Sequence, residues 1–119
     1  YRKTNSIKPD YLELFGLLFD FNELECKVYQ VLHTLGSKEA GELAEKLNRD
    51  RSTVSRALNR LHEEGFVIRR RRVLRSGGQA YEYTARNPRE LLHRAHGRLE
   101  EWSDSAHESI EEFLQDVSQ

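Results

Sequence analysis

The 119 residues predict a mainly α-helical fold with one small β-hairpin, and three observations lead there. Apolar residues recur at helical spacing through most of the chain, each run preceded by a residue suited to cap it. One stretch breaks that period. Phe66, Val67, Ile68 and Val73 are β-rich, Ser76-Gly77-Gly78-Gln79 is a turn, and Tyr81, Glu82 and Tyr83 alternate on the return. The length and a hydrophobic content of 37% suit one compact domain with an extension.

The elements follow in order. Pro9 to Phe19 is a short helix so apolar that it must be buried on most sides, in the core or against a second subunit. Asn22 to Leu35 is a second helix, with Asn22 and Glu25 set for a capping box and Gly36 to end it. Its polar stripe is Glu23, Lys27, Gln30 and Thr34, and Leu24, Val28, Val31, Leu32 and Leu35 lie opposite. Ser37 is expected to cap a third helix running to about Leu47, and Asp50 a fourth from about Arg51 to Glu64. Strands over Phe66 to Leu74 and Ala80 to Ala85 form the hairpin, whose arm carries Arg69, Arg70, Arg71, Arg72 and Arg75. Asn87, Pro88 and Glu90 open a last helix through a second capping box, and nothing stronger than Gly97 interrupts it before about Val117. Leu92, Ala95, Leu99, Trp102 and Ala106 step by three and four along it, and Ile110, Phe113 and Val117 resume after one extra step of four. A helix of that length extends about 45 Å, more than so small a domain can cover.

Three segments are therefore expected: a tail over residues 1–8, disordered or tag-derived; a domain over 9–86; and a long dimerisation helix over 87–119. The first residue is Tyr1 and the chain has no methionine, so the polar run Tyr1 to Ser6 reads as a tag remnant or the end of something longer. No apolar run approaches the roughly 20 residues of a membrane span, and the densest, Tyr11 to Phe21, is interrupted by Glu13 and Asp20. No secretory signal is read in these residues, and the single cysteine, Cys26, excludes a disulfide within them, so a cytoplasmic location is expected.

The net charge of −1 conceals an asymmetry. Lys46 to Arg75 holds ten basic and three acidic residues, and Gly97 to Gln119 holds one basic and seven acidic. A basic block within a neutral chain suggests a localised surface for a polyanion. Inside it, the run from Ala40 to Leu61 has the spacing of two short helices crossing steeply. The first helix needs a small residue at the crossing, Ala44. The turn needs one tolerant of positive φ, Asn48, and the second helix a branched inward residue, Val54. Leu43, Leu47, Ala57, Leu58 and Leu61 complete the buried set. The outer face of the second helix is then Arg51, Ser52, Thr53, Ser55, Arg56, Asn59 and Arg60, side chains of the types that read base edges and phosphates. This is a helix-turn-helix whose second helix enters the major groove, followed by an arginine-rich hairpin suited to the DNA backbone or minor groove.

Three stretches carry a family resemblance. Asn22 to Gly36 resembles the second helix of archaeal TrmB-type regulators, Asp50 to Val67 the recognition helix shared by TrmB and MarR winged-helix families, and Tyr83 to Leu92 the TrmB passage from wing to dimerisation helix. The resemblance implies a winged helix-turn-helix with N- and C-terminal dimerisation helices, acting in transcriptional control. Larger TrmB proteins carry a C-terminal sugar-binding domain that nothing in these residues could form, so their sugar sensing does not carry over.

The leading expectation is a homodimeric regulator on double-stranded DNA with a palindromic operator. Arg51, Ser52, Thr53 and Arg56 would read bases, Asn59 would face the groove with them, and Arg49, Arg60, Arg70, Arg72 and Arg75 would hold phosphates. Leu92, Leu99, Trp102, Ala106, Ile110 and Phe113 would form the dimer interface. The alternatives are a winged-helix protein-interaction module working through its acidic helix, and a non-specific chromatin-type protein; the basic block favours a regulator over an interaction module. No nucleophile–base spacing or paired carboxylates suggest an enzyme, and Ser76-Gly77-Gly78 lacks the Lys-Ser/Thr of a phosphate loop. His93, His96, Glu100 and His107 share a strip of the last helix and read as a solvated face, not a metal site, and Cys26 as a packing residue. No cofactor is implied, and the sequence names no effector.

Overall fold

In the computed structural model, which describes residues 8–118, five helices and a three-stranded antiparallel sheet follow in the order α1 Tyr11–Phe19, α2 Glu23–Leu35, β1 Lys38–Glu39, α3 Ala40–Leu47, α4 Arg51–Glu63, β2 Val67–Leu74, β3 Gly78–Ala85 and α5 Pro88–Ser118. The tail expected over residues 1–8 lies, apart from Lys8, outside the described residues.

Local chemistry sets most boundaries. The Asp10 carboxylate accepts from the Glu13 N–H at 2.8 Å and starts α1. The expected capping box opens α2: the Glu25 N–H donates to Asn22 Oδ1 and the Asn22 N–H to Glu25 Oε1, both at 2.8 Å. Gly36, at φ 91°, ends it with its N–H on the Leu32 carbonyl.

Two starts differ from expectation. Ser37 does not cap α3. Lys38 and Glu39 instead form β1 against β3, so the Ser37 hydroxyl meets Thr84 Oγ1 at 2.6 Å and Glu39 becomes the cap residue, its N–H bound to Glu42 Oε1 at 2.9 Å. Asn87 caps α5 alone, accepting from the Arg89 N–H at 2.9 Å, while the Glu90 carboxylate pairs with Arg86 at 3.7 Å in place of the second capping box.

The core gathers on Phe66, which is 1% exposed. The rings of Phe15, Phe19, Phe21 and Tyr29 stand around it with centroids 4.8–5.8 Å away, all in edge-on geometry. Val28, Leu32, Leu43, Leu58 and Leu61 are buried from the helical side, Val67 and Tyr83 from the sheet, and Leu91 from the base of α5. The distal part of α5 continues away from this core with its apolar side open.

The sheet order is β1-β3-β2, and Arg69 pairs with Tyr83, Arg70 with Glu82, Arg71 with Tyr81 and Arg72 with Ala80. Strand alternation therefore puts Arg69 and Arg71 on the tyrosine face and Arg70 and Arg72 on the Glu82 face. The tip is Arg75-Ser76-Gly77, with Gly77 at φ 82°.

Candidate nucleic-acid interface

The crossing of α3 and α4 meets each steric condition read from the sequence. Ala44 is buried where the helices touch, and its carbonyl accepts the Arg49 N–H at 3.0 Å across the turn. Asn48 takes the left-handed conformation at φ 54°, ψ 49°. Val54 is fully buried, with Ala57, Leu58 and Leu61 behind it. With that side of α4 sealed, its opposite side is fixed outward: Arg51, Ser52, Arg56 and Asn59 are exposed, as is Arg49 in the turn. The guanidiniums of Arg49 and Arg51 carry no hydrogen bond or ion pair among the described residues.

Asp50 organises the start of α4 in a way that sequence reading missed. Its carboxylate accepts the hydroxyl protons of Ser52, at 2.6 Å, and Thr53. Those two bonds, with smaller help from the backbone N–H groups of Thr53 and Asp50, hold the carboxyl well below its usual range, at about 2, so the group is ionised at neutral pH. Arg56 in turn donates to Thr53 Oγ1 at 3.3 Å. With their protons on Asp50, Ser52 and Thr53 face outward with lone pairs only, and Arg56 is the adjacent donor. The pattern was available as Asp-x-Ser-Thr, a carboxylate two and three residues ahead of two hydroxyls.

The hairpin arginines differ in what holds them. Arg72 lies 3.2 Å from Glu39 and 3.6 Å from Glu82, two carboxylates brought beside it by β1 and β3. Arg69 lies over the Tyr81 ring at 4.6 Å, and Arg71 reaches Gln79 at 3.5 Å. Arg70 and Arg75 have no such partner among the described residues and extend from the hairpin into solvent.

Arg60, expected on phosphate, also has a role in the fold. Its guanidinium donates to the carbonyls of Asp20 at 2.8 Å and Phe19 at 3.3 Å, pairs with Glu25 at 3.5 Å and lies over the Phe21 ring. The last turn of α1 has no basic residue of its own, so Arg60 supplies the positive charge that the helix C-terminus favours. Nε and Nη2 are engaged in the fold, while Nη1 has no partner among the described residues and the side chain is 41% exposed.

The remaining candidates lie on α5 and the α1–α2 side. Leu92, Leu99, Trp102, Ile110 and Phe113 are exposed, Trp102 by 46% and Phe113 by 63%, and Ala106 is half-buried. Leu92 and Leu99 form one wall of an apolar groove of about 870 Å³ whose other walls come from α1 and α2. Cys26 borders it, and burial with Glu25 and Glu23 nearby pushes its thiol up, away from thiolate chemistry at neutral pH. His93, His96, Glu100 and His107 are all exposed, and among the described residues no three His, Cys, Asp or Glu side chains converge as metal ligands would. No helix among them is long and apolar enough to cross a membrane.

A steep helix pair with a basic outer face, followed by a β-hairpin wing and a long helix, defines a winged helix-turn-helix protein. The chain belongs to the TrmB family: the family described as "Sugar-specific transcriptional regulator TrmB" matches residues 18–89. It is 32% identical over 111 residues to the uncharacterized protein MJ1503 of Methanocaldococcus jannaschii, spanning 93% of this chain and 84% of that one. Among solved structures, a possible transcriptional regulator from Methanosarcina mazei Go1 superposes with a TM-score of 0.75 at 18% identity, covering 93% of this chain and 94% of the other. A regulator of the MarR family from Enterococcus faecalis V583 gives 0.52 at 19% identity, covering 90% and 97%. These likenesses are of fold. By family the chain is a DNA-binding transcriptional regulator.

Proposed function

We propose that this protein is a sequence-specific regulator that binds double-stranded DNA as a homodimer on a palindromic operator. The observation that carries the reading is the outer face of α4: Arg51, Ser52, Arg56 and Asn59 stand exposed together on a helix whose other side is sealed into the core. Thr53 lies at their edge, half-buried and bonded to Asp50. In this reading Arg56 donates to guanine, Ser52 and Thr53 accept from an exocyclic base amine, and Asn59 lies farther along the groove. Arg49, Arg70 and Arg75 hold phosphates, joined by Arg72 once it leaves Glu39 and Glu82. Arg60, whose Nε and Nη2 are engaged in the fold, would join them through Nη1.

The homodimer rests on the open stripe of α5. Burying Trp102 alone would be worth on the order of 2–3 kcal/mol, and Leu92, Leu99, Ala106, Ile110 and Phe113 extend the same surface. Two-fold pairing would present two copies of α4 to successive major grooves about 34 Å apart, which makes the operator a palindrome. The deciding experiment is selection of bound DNA from a random pool. A recovered palindrome with half-sites one helical turn apart supports the reading; a pool that stays random overturns it in favour of a non-specific DNA-binding protein.

A further inference from the structure

Asp50 is an exposed carboxylate in the middle of the basic face. Arg49 and Arg51 are its chain neighbours and Arg56 follows on the same helix, yet it forms an ion pair with none of them among the described residues. A negative charge there repels the phosphates that the surrounding arginines would attract. Capping alone does not require one, because neutral Ser or Asn starts a helix about as well. What the charge adds is chemical. An ionised carboxylate only accepts, and its two oxygens take one hydroxyl each, Oδ2 that of Ser52 at 2.6 Å and Oδ1 that of Thr53. Thr53 Oγ1 in turn accepts from Arg56 Nη2 at 3.3 Å, so one chain of hydrogen bonds runs from the carboxylate to the guanidinium.

Resting on the reading of α4 as the helix that reads bases, we propose that Asp50 is a specificity-determining positioning residue: without touching DNA, it sets the donor and acceptor pattern of the recognition helix. A serine hydroxyl is ambiguous by itself, able to donate to a base carbonyl or to accept from a base amine as its proton rotates. With the proton held by Asp50, Ser52 offers lone pairs only. In the major groove that pattern accepts from adenine N6 or cytosine N4, and it meets guanine O6 and thymine O4 with lone pair against lone pair. On the strand that Ser52 faces, its column of the operator is therefore adenine or cytosine. Arg56 is the complement. Four residues on, it lies on the same side of α4 about 6 Å farther along the axis, so the two side chains reach neighbouring base pairs. Its guanidinium donates and never accepts, which selects guanine. Thr53 is half-buried and has less reach than exposed Ser52, so its part is to pass the effect of Asp50 on to Arg56. The DNA that fits this face has an exocyclic amine beside a guanine.

A neutral side chain at this position changes the pattern. Asparagine can accept one hydroxyl proton, but its amide N–H donates to the other hydroxyl and leaves that hydroxyl's proton free to face the DNA. Alanine frees both. A freed Ser52 hydroxyl can donate to guanine O6 or thymine O4, so its column becomes tolerant of all four bases, while the phosphate contacts assigned to Arg49, Arg70 and Arg75 are untouched. A residue that merely capped α4 would act otherwise. Its loss would weaken every complex alike, through the stability of the helix, and leave the base preference as it was.

The test compares affinities within each protein, so that a general loss of stability cancels. The full chain is made as wild type, Asp50→Ala, Asp50→Asn, Ser52→Ala and the double variant Asp50→Ala with Ser52→Ala. Each is titrated with the selected operator carrying each of the four bases in the column that Ser52→Ala relaxes. Wild type should prefer adenine or cytosine there over guanine and thymine by about tenfold, and Asp50→Ala should reduce the preference to about twofold. Asp50→Asn, which keeps a capping side chain, should fall between them. In the Ser52→Ala background Asp50→Ala should leave the column unchanged, because the hydroxyl it acts through is gone. An equal loss on all four bases in both Asp50 variants would make Asp50 a cap only and overturn the proposal. A wild-type preference for guanine or thymine in that column, or a Ser52→Ala protein that relaxes no column, would overturn it too. All three results leave the sequence-specific regulator standing. A pool that stays random in the initial selection would remove that reading, and the proposal with it.

Discussion

Nη2 of Arg98 lies 3.1 Å from Oε2 of Glu64, joining the fourth turn region of α5 to the C-terminal end of the recognition helix α4. The other η-nitrogen of Arg98 donates to the Leu18 carbonyl at 3.1 Å, and the guanidinium lies over the Phe19 ring. Arg60 holds the next two carbonyls from the opposite side. The C-terminal end of α1 is thus the joint between the helix assigned to pairing and the helix assigned to DNA.

Arg98→Ala should lower stability by about 1–2 kcal/mol, read from the urea midpoint. Most of the loss comes from the Leu18 carbonyl and the uncovered Phe19 ring, because a partly exposed ion pair contributes little by itself. Glu64→Gln should therefore cost less than Arg98→Ala. Equal losses would assign the effect to the ion pair.

Gly65 is the turn that lets Phe66 enter the core. It sits at φ 77°, and a Cβ there would lie 3.0 Å from Arg94 Nη1. Gly65→Ala should destabilise by about 1–2 kcal/mol from backbone strain alone, with Arg94 displaced in addition. The thermal midpoint relative to an exposed control such as Gly97→Ala measures it.

The recognition helix should carry sequence choice. Arg56→Ala and Ser52→Ala should each cost about 1–3 kcal/mol on the selected operator and less on random DNA, measured by titration at one salt concentration. The base pair whose preference Ser52→Ala relaxes should present an exocyclic amine, adenine or cytosine, because the Ser52 proton is held by Asp50. Equal losses on both DNAs would mean these side chains only position the protein.

The wing should supply affinity and salt dependence. Arg70→Ala with Arg75→Ala should reduce the slope of log K against log salt by about 2, close to one per phosphate contact. Arg72→Ala should change it less, since Glu39 and Glu82 already neutralise that charge. An unchanged slope in the double variant would place the wing off the DNA.

Asp50 gives a pH signature. Its folded pKa of about 2 lies below the ordinary carboxylate value of about 3.9, so its contribution to stability is present above pH 4 and is lost as pH falls through 2. The difference in Tm between the wild type and Asp50→Asn should be constant from pH 5 to 8 and shrink from pH 4 toward 2. A difference that instead changed between pH 5 and 7 would contradict the hydroxyl bonds as its cause.

What the sequence determined by itself was local. Ala44, Asn48 and Val54 satisfy steric conditions set within about ten residues of chain, and they fixed the helix-turn-helix and hence which side of α4 faces out. Asn22 and Glu25 lie within one turn, and the hairpin was legible from its own alternation and glycines. The tertiary structure alone decided whatever depends on elements distant in the chain. Strand β1 has two residues and no β-rich pattern, and it exists because β3, more than forty residues later, offers an edge; that pairing displaced Ser37 as a cap and brought Glu39 to Arg72. Arg60 and Arg72 have the same charge and composition signal as Arg70, and only the fold showed which guanidiniums its own carbonyls and carboxylates had already taken. A one-dimensional pattern tells which face a residue occupies on its own helix or strand. It does not tell which acceptor from another element stands in front of it.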